Sequence, residues 1–87
     1  MNTNVSIITP SYNSKSFFKD TFNSVLSQTY TDFEWIIIDD CSTDGTFEYI
    51  KELIKNDSRI SLYKTEKNSG TATARNIGLR KAKGRYI

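Results

Sequence analysis

Val5 to Thr9 reads V-S-I-I-T, a short run rich in β-branched residues closed by Pro10, and Phe33 to Ile38 reads F-E-W-I-I-I, closed by Asp39 and Asp40. Both patterns predict strands, and their near-continuous apolar character is what a parallel sheet covered on both faces requires. Between them Phe17, Phe18, Thr21, Phe22, Val25 and Leu26 recur at the spacing of one helix face, with Ser14 or Ser16 available as N-cap. Thr29 to Asp32 forms the polar turn into the second strand. After the turn-rich C-S-T-D-G-T, Phe47, Ile50, Leu53 and Ile54 predict a second amphipathic helix with Glu48 in its first turn. Ile60 and Leu62, continued by Lys64, alternate as a shorter, edge-like third strand, and a loop from Thr65 to Gly70 follows. Ala74, Ile77, Gly78 and Ala82 line one side of a third helix whose other side carries Arg80, Lys81 and Lys83, with Gly84 as its C-cap. Arg85-Tyr86-Ile87 opens a fourth strand. The order β-α-β-α-β-α-β predicts an open, mostly parallel α/β sheet with helices on both faces.

Length and composition narrow the chemistry. Eighty-seven residues suffice for one domain at most, burying about 60 to 65% of the unfolded surface. One cysteine and no histidine exclude an intrachain disulfide, Cys/His zinc sites and Ser-His or Cys-His dyads. Any metal here needs carboxylate ligands, which favours magnesium, manganese or calcium. No apolar run approaches a membrane span and the first residues lack the pattern of a signal peptide, so the expected compartment is the cytosol. The net charge of +2 conceals an asymmetry: residues 1–66 carry six basic and ten acidic side chains, whereas residues 67–87 carry six basic ones and no acid. Such a block suits phosphate, and equally suits the C-terminal end of a helix dipole.

In open α/β sheets ligands bind beyond the carboxyl ends of the strands. Neither G-x-G-x-x-G nor G-x-x-x-x-G-K-[ST] occurs here. Three other segments stand at the right places. T-P-S-Y-N at 9–13 puts Tyr12 where it either stacks on a planar base or packs in a turn, with Pro10 stiffening the loop. In D-D-x-S-T-D-G-T at 39–46, Asp39 and Asp40 point to opposite faces and so take separate tasks, one accepting amides of the following loop, the other a nucleobase N–H. Ser42, Thr43 and Thr46 read as helix caps, and Asp44-Gly45 as turn chemistry. In N-x-G-x-x-x-A-R-N-x-G at 68–78, Arg75 brings forked donors suited to a base or a diphosphate, or is simply solvated, and Gly78 implies close packing of the helix on the sheet.

Taken together, V-S-I-I-T-P-S-Y-N, S-V-L-S-Q-T-Y-T-D-F-E-W-I-I-I-D-D-C-S-T-D-G-T, N-S-G-T-A-T-A-R-N-I-G-L and A-K-G-R-Y-I resemble the family 2 glycosyltransferases of the GT-A fold, over nearly all of the chain from Val5 to Ile87. The resemblance implies the Rossmann-like half of a GT-A fold and inverting sugar transfer from a nucleotide sugar, most often a UDP-sugar, in polysaccharide or surface-glycan synthesis. It implies that Pro10 and Tyr12 lie against base and ribose, that Asp40 accepts from the base edge, that Arg75 borders the nucleotide, and that Asn13 and Asp39 support them. Cys41 is assigned packing only. In that family the strand begun by G-R-Y-I runs on into a D-x-D motif holding Mg²⁺ or Mn²⁺, and the catalytic base and acceptor site lie further on.

Residues 1–87 are therefore expected to form a single partial domain, the nucleotide-binding front half, which holds no metal and transfers no sugar alone. The complete enzyme would be cytoplasmic or peripheral to the membrane and would act on a glycan or lipid-linked acceptor. A first strand lacking its fourth-strand neighbour is expected to invite pairing between copies. Two readings from other classes remain at this point. A phospho-receiver module also has a strand-end acid pair, though after its first strand, and a nucleic-acid-binding module would use the basic block at 75–85, a partner the family resemblance does not imply.

Overall fold

The computed structural model of the chain describes residues 5–27, 33–68 and 70–82. Their elements run β1 (Val5–Ser11), α1 (Phe18–Leu26), β2 (Phe33–Asp39), α2 (Thr46–Ile54), β3 (Ile60–Lys64) and α3 (Thr71–Lys81). The strands form one parallel sheet in the order β1-β2-β3, with Ser11 opposite Asp39 and Asp39 opposite Lys64, so all three strands end at one level.

Alternation along β2 sends its side chains into two cores. Phe33, Trp35 and Ile37 pack with Phe18 of α1 and with Ile50 and Ile54 of α2. Ile36 and Ile38 pack on the other face against Ala74 of α3, flanked by Ile77 and Ala82. Trp35 has no exposure; its ring stacks at 5.9 Å on Phe18 and 6.3 Å on Phe22, and its indole N–H donates to Thr9 Oγ1 at 2.9 Å. A buried indole is stable there because its one donor is satisfied. On the α3 face the approach is closer. A Cβ on Gly78 would run into Ile8 Cγ2, so the glycine inside the helix exists to let α3 lie against β1.

At the amino end of the sheet, the Arg59 carbonyl accepts the Trp35 N–H at 2.8 Å. The Arg59 guanidinium donates to both oxygens of Asp57 and lies 4.5 Å over the Phe33 ring. The basic last turn of α3, Arg80 and Lys81, suits its dipole, and Lys81 Nζ also sits 4.3 Å over the Tyr63 ring. None of the helices among the described residues is long and apolar enough to cross a membrane.

Several local expectations need correction. Pro10 does not close β1; the strand runs on to Ser11 with Pro10 opposite Ile38. The Ser11 carbonyl accepts the Asp40 N–H, so Pro10, one residue earlier, turns its donor-less nitrogen away from β2, where it costs no ladder bond. Neither Ser14 nor Ser16 caps α1 through its side chain: the N-cap is Phe17, and the Ser14 carbonyl receives the N–H groups of Phe17 and Phe18. Gly84 is not the C-cap of α3, which stops at Lys81 because Ala82 turns extended and packs against the Ile36–Ile38 cluster. The turn expected at Thr29–Asp32 and the strand expected at Arg85–Ile87 both lie wholly outside the described residues, as does any pairing that strand would give the outer edge of β1.

Candidate functional site

Because β1 and β2 are adjacent and in register, the loops that follow them meet. Asn13 donates its backbone N–H to Ser42 Oγ at 2.8 Å and accepts the Thr43 N–H on Oδ1 at 2.8 Å. The Ser14 N–H donates to Thr46 Oγ1 at 3.0 Å. Ser11 and Ser14 share a hydrogen bond of 2.5 Å between their hydroxyls, both residues being buried. Three of these four bonds join chain segments about 30 residues apart, and together they make the two loops one unit.

The two aspartates divide their work. Asp39, at 0% exposure, accepts the Ser42 hydroxyl on Oδ1 at 2.6 Å and the Ser42 N–H on Oδ2 at 3.0 Å. It thereby fixes Ser42, which in turn holds Asn13. Asp40, at 4% exposure, faces the other way: Oδ1 accepts the Thr65 hydroxyl and Oδ2 the Gly70 N–H, both at 2.8 Å. It thus ties the end of β2 to the start of α3. Gly70 has φ +91° and ψ 157°, a backbone region open essentially to glycine alone, and this conformation aims its N–H at Asp40.

Further strain is local to the same place. Among the described residues the non-glycine positive φ values belong to Asn13 (48°) and Cys41 (60°), one in each loop. Such conformations cost about 1 kcal/mol or more and persist where the surroundings hold them, commonly at ligand sites. Asp44 accepts from the Thr46 hydroxyl and N–H and from the Lys15 N–H, and these bonds, the Thr46 hydroxyl foremost, hold its carboxyl below the ordinary carboxylate range.

The structure therefore gathers Asn13, Asp39 and Asp40, with Pro10 half-buried at the end of β1 and Tyr12 exposed between two anchored neighbours. Arg75 is not joined to them by any hydrogen bond; it is exposed on α3 and lines a groove of about 350 Å³ with Val5, Ser6, Ile7, Ile8 and Leu79. Residues read as caps prove more important than expected. The N-cap of α2 is Gly45, without a side-chain cap bond, while Ser42 and Thr46 bind the neighbouring loop. Thr65 joins the site with no motif of its own, Ser11 from within T-P-S-Y-N with no role assigned to it, and Ser14 from a position read only as a helix cap. The signal for them was the parallel pairing itself, which forces two Ser/Thr-rich strand ends into contact. Among the described residues no group of three or more His, Cys, Asp or Glu is placed to hold a metal ion, and the strand-end aspartates, facing apart, do not fit one jointly.

Comparison with known proteins agrees with this arrangement. The chain is 51% identical over 83 residues to the putative teichuronic acid biosynthesis glycosyltransferase TuaG of Bacillus subtilis, covering 95% of the chain and 33% of TuaG. It is 49% identical over 83 residues to an Escherichia coli UDP-Glc:alpha-D-GlcNAc-diphosphoundecaprenol beta-1,3-glucosyltransferase, WfaP, covering 95% of the chain and 32% of that enzyme. The chain thus spans about a third of the length of these relatives. Among solved structures, S. aureus TarS 1-349 in complex with UDP-GlcNAc superposes with a TM-score of 0.87 at 33% identity, over 98% of the chain and 26% of the TarS 1-349 chain. A Pyrobaculum calidifontis mannosyltransferase in complex with GDP-Man and Mn²⁺ gives 0.84 at 26% identity, over 94% of the chain and 25% of the enzyme. The parallel sheet with helices on both faces is the α/β fold of these GT-A enzymes. The model of glycosyl transferase family 2 matches residues 6–87, and on that match, together with the fold and the paired strand-end loops, the chain belongs to glycosyl transferase family 2.

Proposed function

We propose that this chain is the nucleotide-binding part of an inverting glycosyltransferase that uses a UDP-sugar to extend a polysaccharide or surface glycan on a glycan or lipid-linked acceptor. The observation that carries the reading is the divided pair of buried strand-end aspartates, one holding Ser42, which in turn binds the loop that presents Tyr12, the other tied to the start of α3. In this reading Tyr12 stacks on the base, Pro10 and Asn13 hold the loop that carries it, and Asp39 keeps Ser42 and Asn13 in place. Asp40 accepts the N–H of the uracil edge, a further donor to a carboxylate whose orientation the protein already fixes. Arg75, one turn into α3, reaches toward the nucleotide with its guanidinium. Support comes from the UDP-GlcNAc complex of TarS and from the UDP-glucose named for WfaP.

Mg²⁺ or Mn²⁺, held by residues other than those described, would neutralise charge on the departing diphosphate in the whole enzyme. The chain's own part is recognition of the donor, and by itself it completes no transfer. Calorimetric titration with UDP and with CDP tests this, because cytosine offers no ring N–H to Asp40. The expected result is preference for UDP, a loss of about tenfold in UDP affinity in Asp40→Asn, and no sugar release from UDP-sugars by the chain alone. Equal affinity for UDP and CDP, unchanged by Asp40→Asn, would overturn the assignment of Asp40, and turnover would overturn the division of labour.

A further inference from the structure

Thr65 is the first residue after β3, is 8% exposed, and touches both aspartates. Its backbone N–H continues the sheet ladder to the Asp39 carbonyl at 2.9 Å, which places its side chain beside Asp40. There Thr65 Oγ1 lies 2.8 Å from Asp40 Oδ1 and 2.8 Å from the Lys67 carbonyl oxygen. A hydroxyl has one proton, so it donates to one of these acceptors at a time. Given to Asp40, the proton opposes rotation of the carboxylate; given to Lys67, it fastens the loop that leads to Gly70, whose N–H holds the other carboxylate oxygen at 2.8 Å.

We propose that Thr65 is a positioning residue for nucleobase recognition: its hydroxyl sets the orientation in which Asp40 meets the base edge. This rests on the nucleotide reading above. Charge-assisted hydrogen bonds are short and directional, and a carboxylate held from both oxygens presents its acceptors in one plane only. Without the hydroxyl, Asp40 keeps the Gly70 bond on Oδ2 but loses the donor on Oδ1 that fixes its plane. Affinity then falls for ligands whose base donates to Asp40 and not for those whose base does not. Threonine here carries no motif and would pass for an ordinary strand-end residue, yet it is the side chain that connects β3 to the acid pair.

The test compares Thr65→Val, which keeps the shape and removes the hydroxyl, with Thr65→Ser, which keeps the hydroxyl. Titration with UDP and CDP gives a ratio that a general loosening of the fold would not change. The expected outcome for Thr65→Val is UDP binding about tenfold weaker with CDP binding within about twofold of the unsubstituted chain. Thr65→Ser restores the ratio, and Thr65→Val adds nothing to Asp40→Asn, because the two act through one carboxylate. Equal weakening of both nucleotides, or no change in either, would overturn the assignment of Thr65 while leaving the site standing. Failure of the unsubstituted chain to bind UDP would overturn the nucleotide reading and this one with it. If circular dichroism shows Thr65→Val to be unfolded, Thr65→Cys, with its weaker donor, serves for the same comparison.

Discussion

The two ends of the sheet are built of different material. Of the seven polar residues buried among the described residues, six (Ser11, Ser14, Asp39, Asp40, Thr46 and Thr65) lie at or just beyond the carboxyl ends of the strands, and the seventh, Ser6, lies near their amino ends. Short bonds join Ser11 to Ser14, Asp39 to the half-buried Ser42, and Asp40 to Thr65. The amino end has one buried polar residue, Ser6, which donates to Glu34 Oε2 at 2.6 Å, while its ion pair is more open: Asp57 and Arg59 pair at 2.8 Å with side chains 22% and 38% exposed. A buried polar group that loses its partner incurs its full desolvation cost, whereas an exposed ion pair that is broken returns both charges to water. The carboxyl end is therefore brittle and specific, the amino end tolerant.

That contrast can be broken by substitution. The largest effect is expected for Asp39→Ala, which strips Ser42 of both its bonds to the carboxylate. It should cost about 3 kcal/mol of stability by urea unfolding, a large share of what so small a domain has. Ser42→Ala comes next, at about 1 to 2 kcal/mol, because it removes the hydroxyl that links Asp39 to the Asn13 N–H but leaves the backbone bond to Asp39. Asp57→Asn should cost under about 1 kcal/mol. The pair with Arg59, chiefly its side-chain hydrogen bond, lowers the Asp57 carboxyl from its ordinary value. Its contribution is accordingly full above that ordinary value, near pH 4, and lost as the pH falls through the lower folded value. Urea midpoints of the Asp57→Asn chain and its parent should differ at pH 7 and converge toward pH 2. An Asp57→Asn loss as large as that of Asp39→Ala would erase the distinction between the two ends.

The elements were legible because their physics is periodic. The i, i+4 spacing of Phe18, Phe22 and Leu26, and the unbroken F-E-W-I-I-I, follow from which faces must be covered, and the structure places α1 and β2 within a residue of where the pattern puts them. The opposed tasks of Asp39 and Asp40 were legible for the same reason, since strand alternation alone separates them. What the pattern did not reveal was the partner of each side chain. Ser42 and Thr46 have the composition of helix caps, and only the register of β1 on β2 turns them toward Asn13 and Ser14 instead. Thr65 is similar, a polar residue after a short strand whose meaning depends on which aspartate its hydroxyl meets. Pro10 reads as a strand breaker until the direction of its nitrogen is known. The phospho-receiver and nucleic-acid readings fail on the family match, not on any single residue.

The bonds that unite the site have a consequence in time. Asn13 to Ser42 spans 29 residues, Asp40 to Gly70 spans 30, and Ser14 to Thr46 spans 32, each about one strand-helix repeat. No helix or turn can form any of them by itself, and each requires two parallel strands already aligned. Closure of such loops is slow because chain entropy is lost before the contact repays it. The site can thus exist only once the strands are in register, and a one-residue slip of β1 on β2, which would turn every β1 side chain to the opposite face, would abolish it together with the packing of that strand.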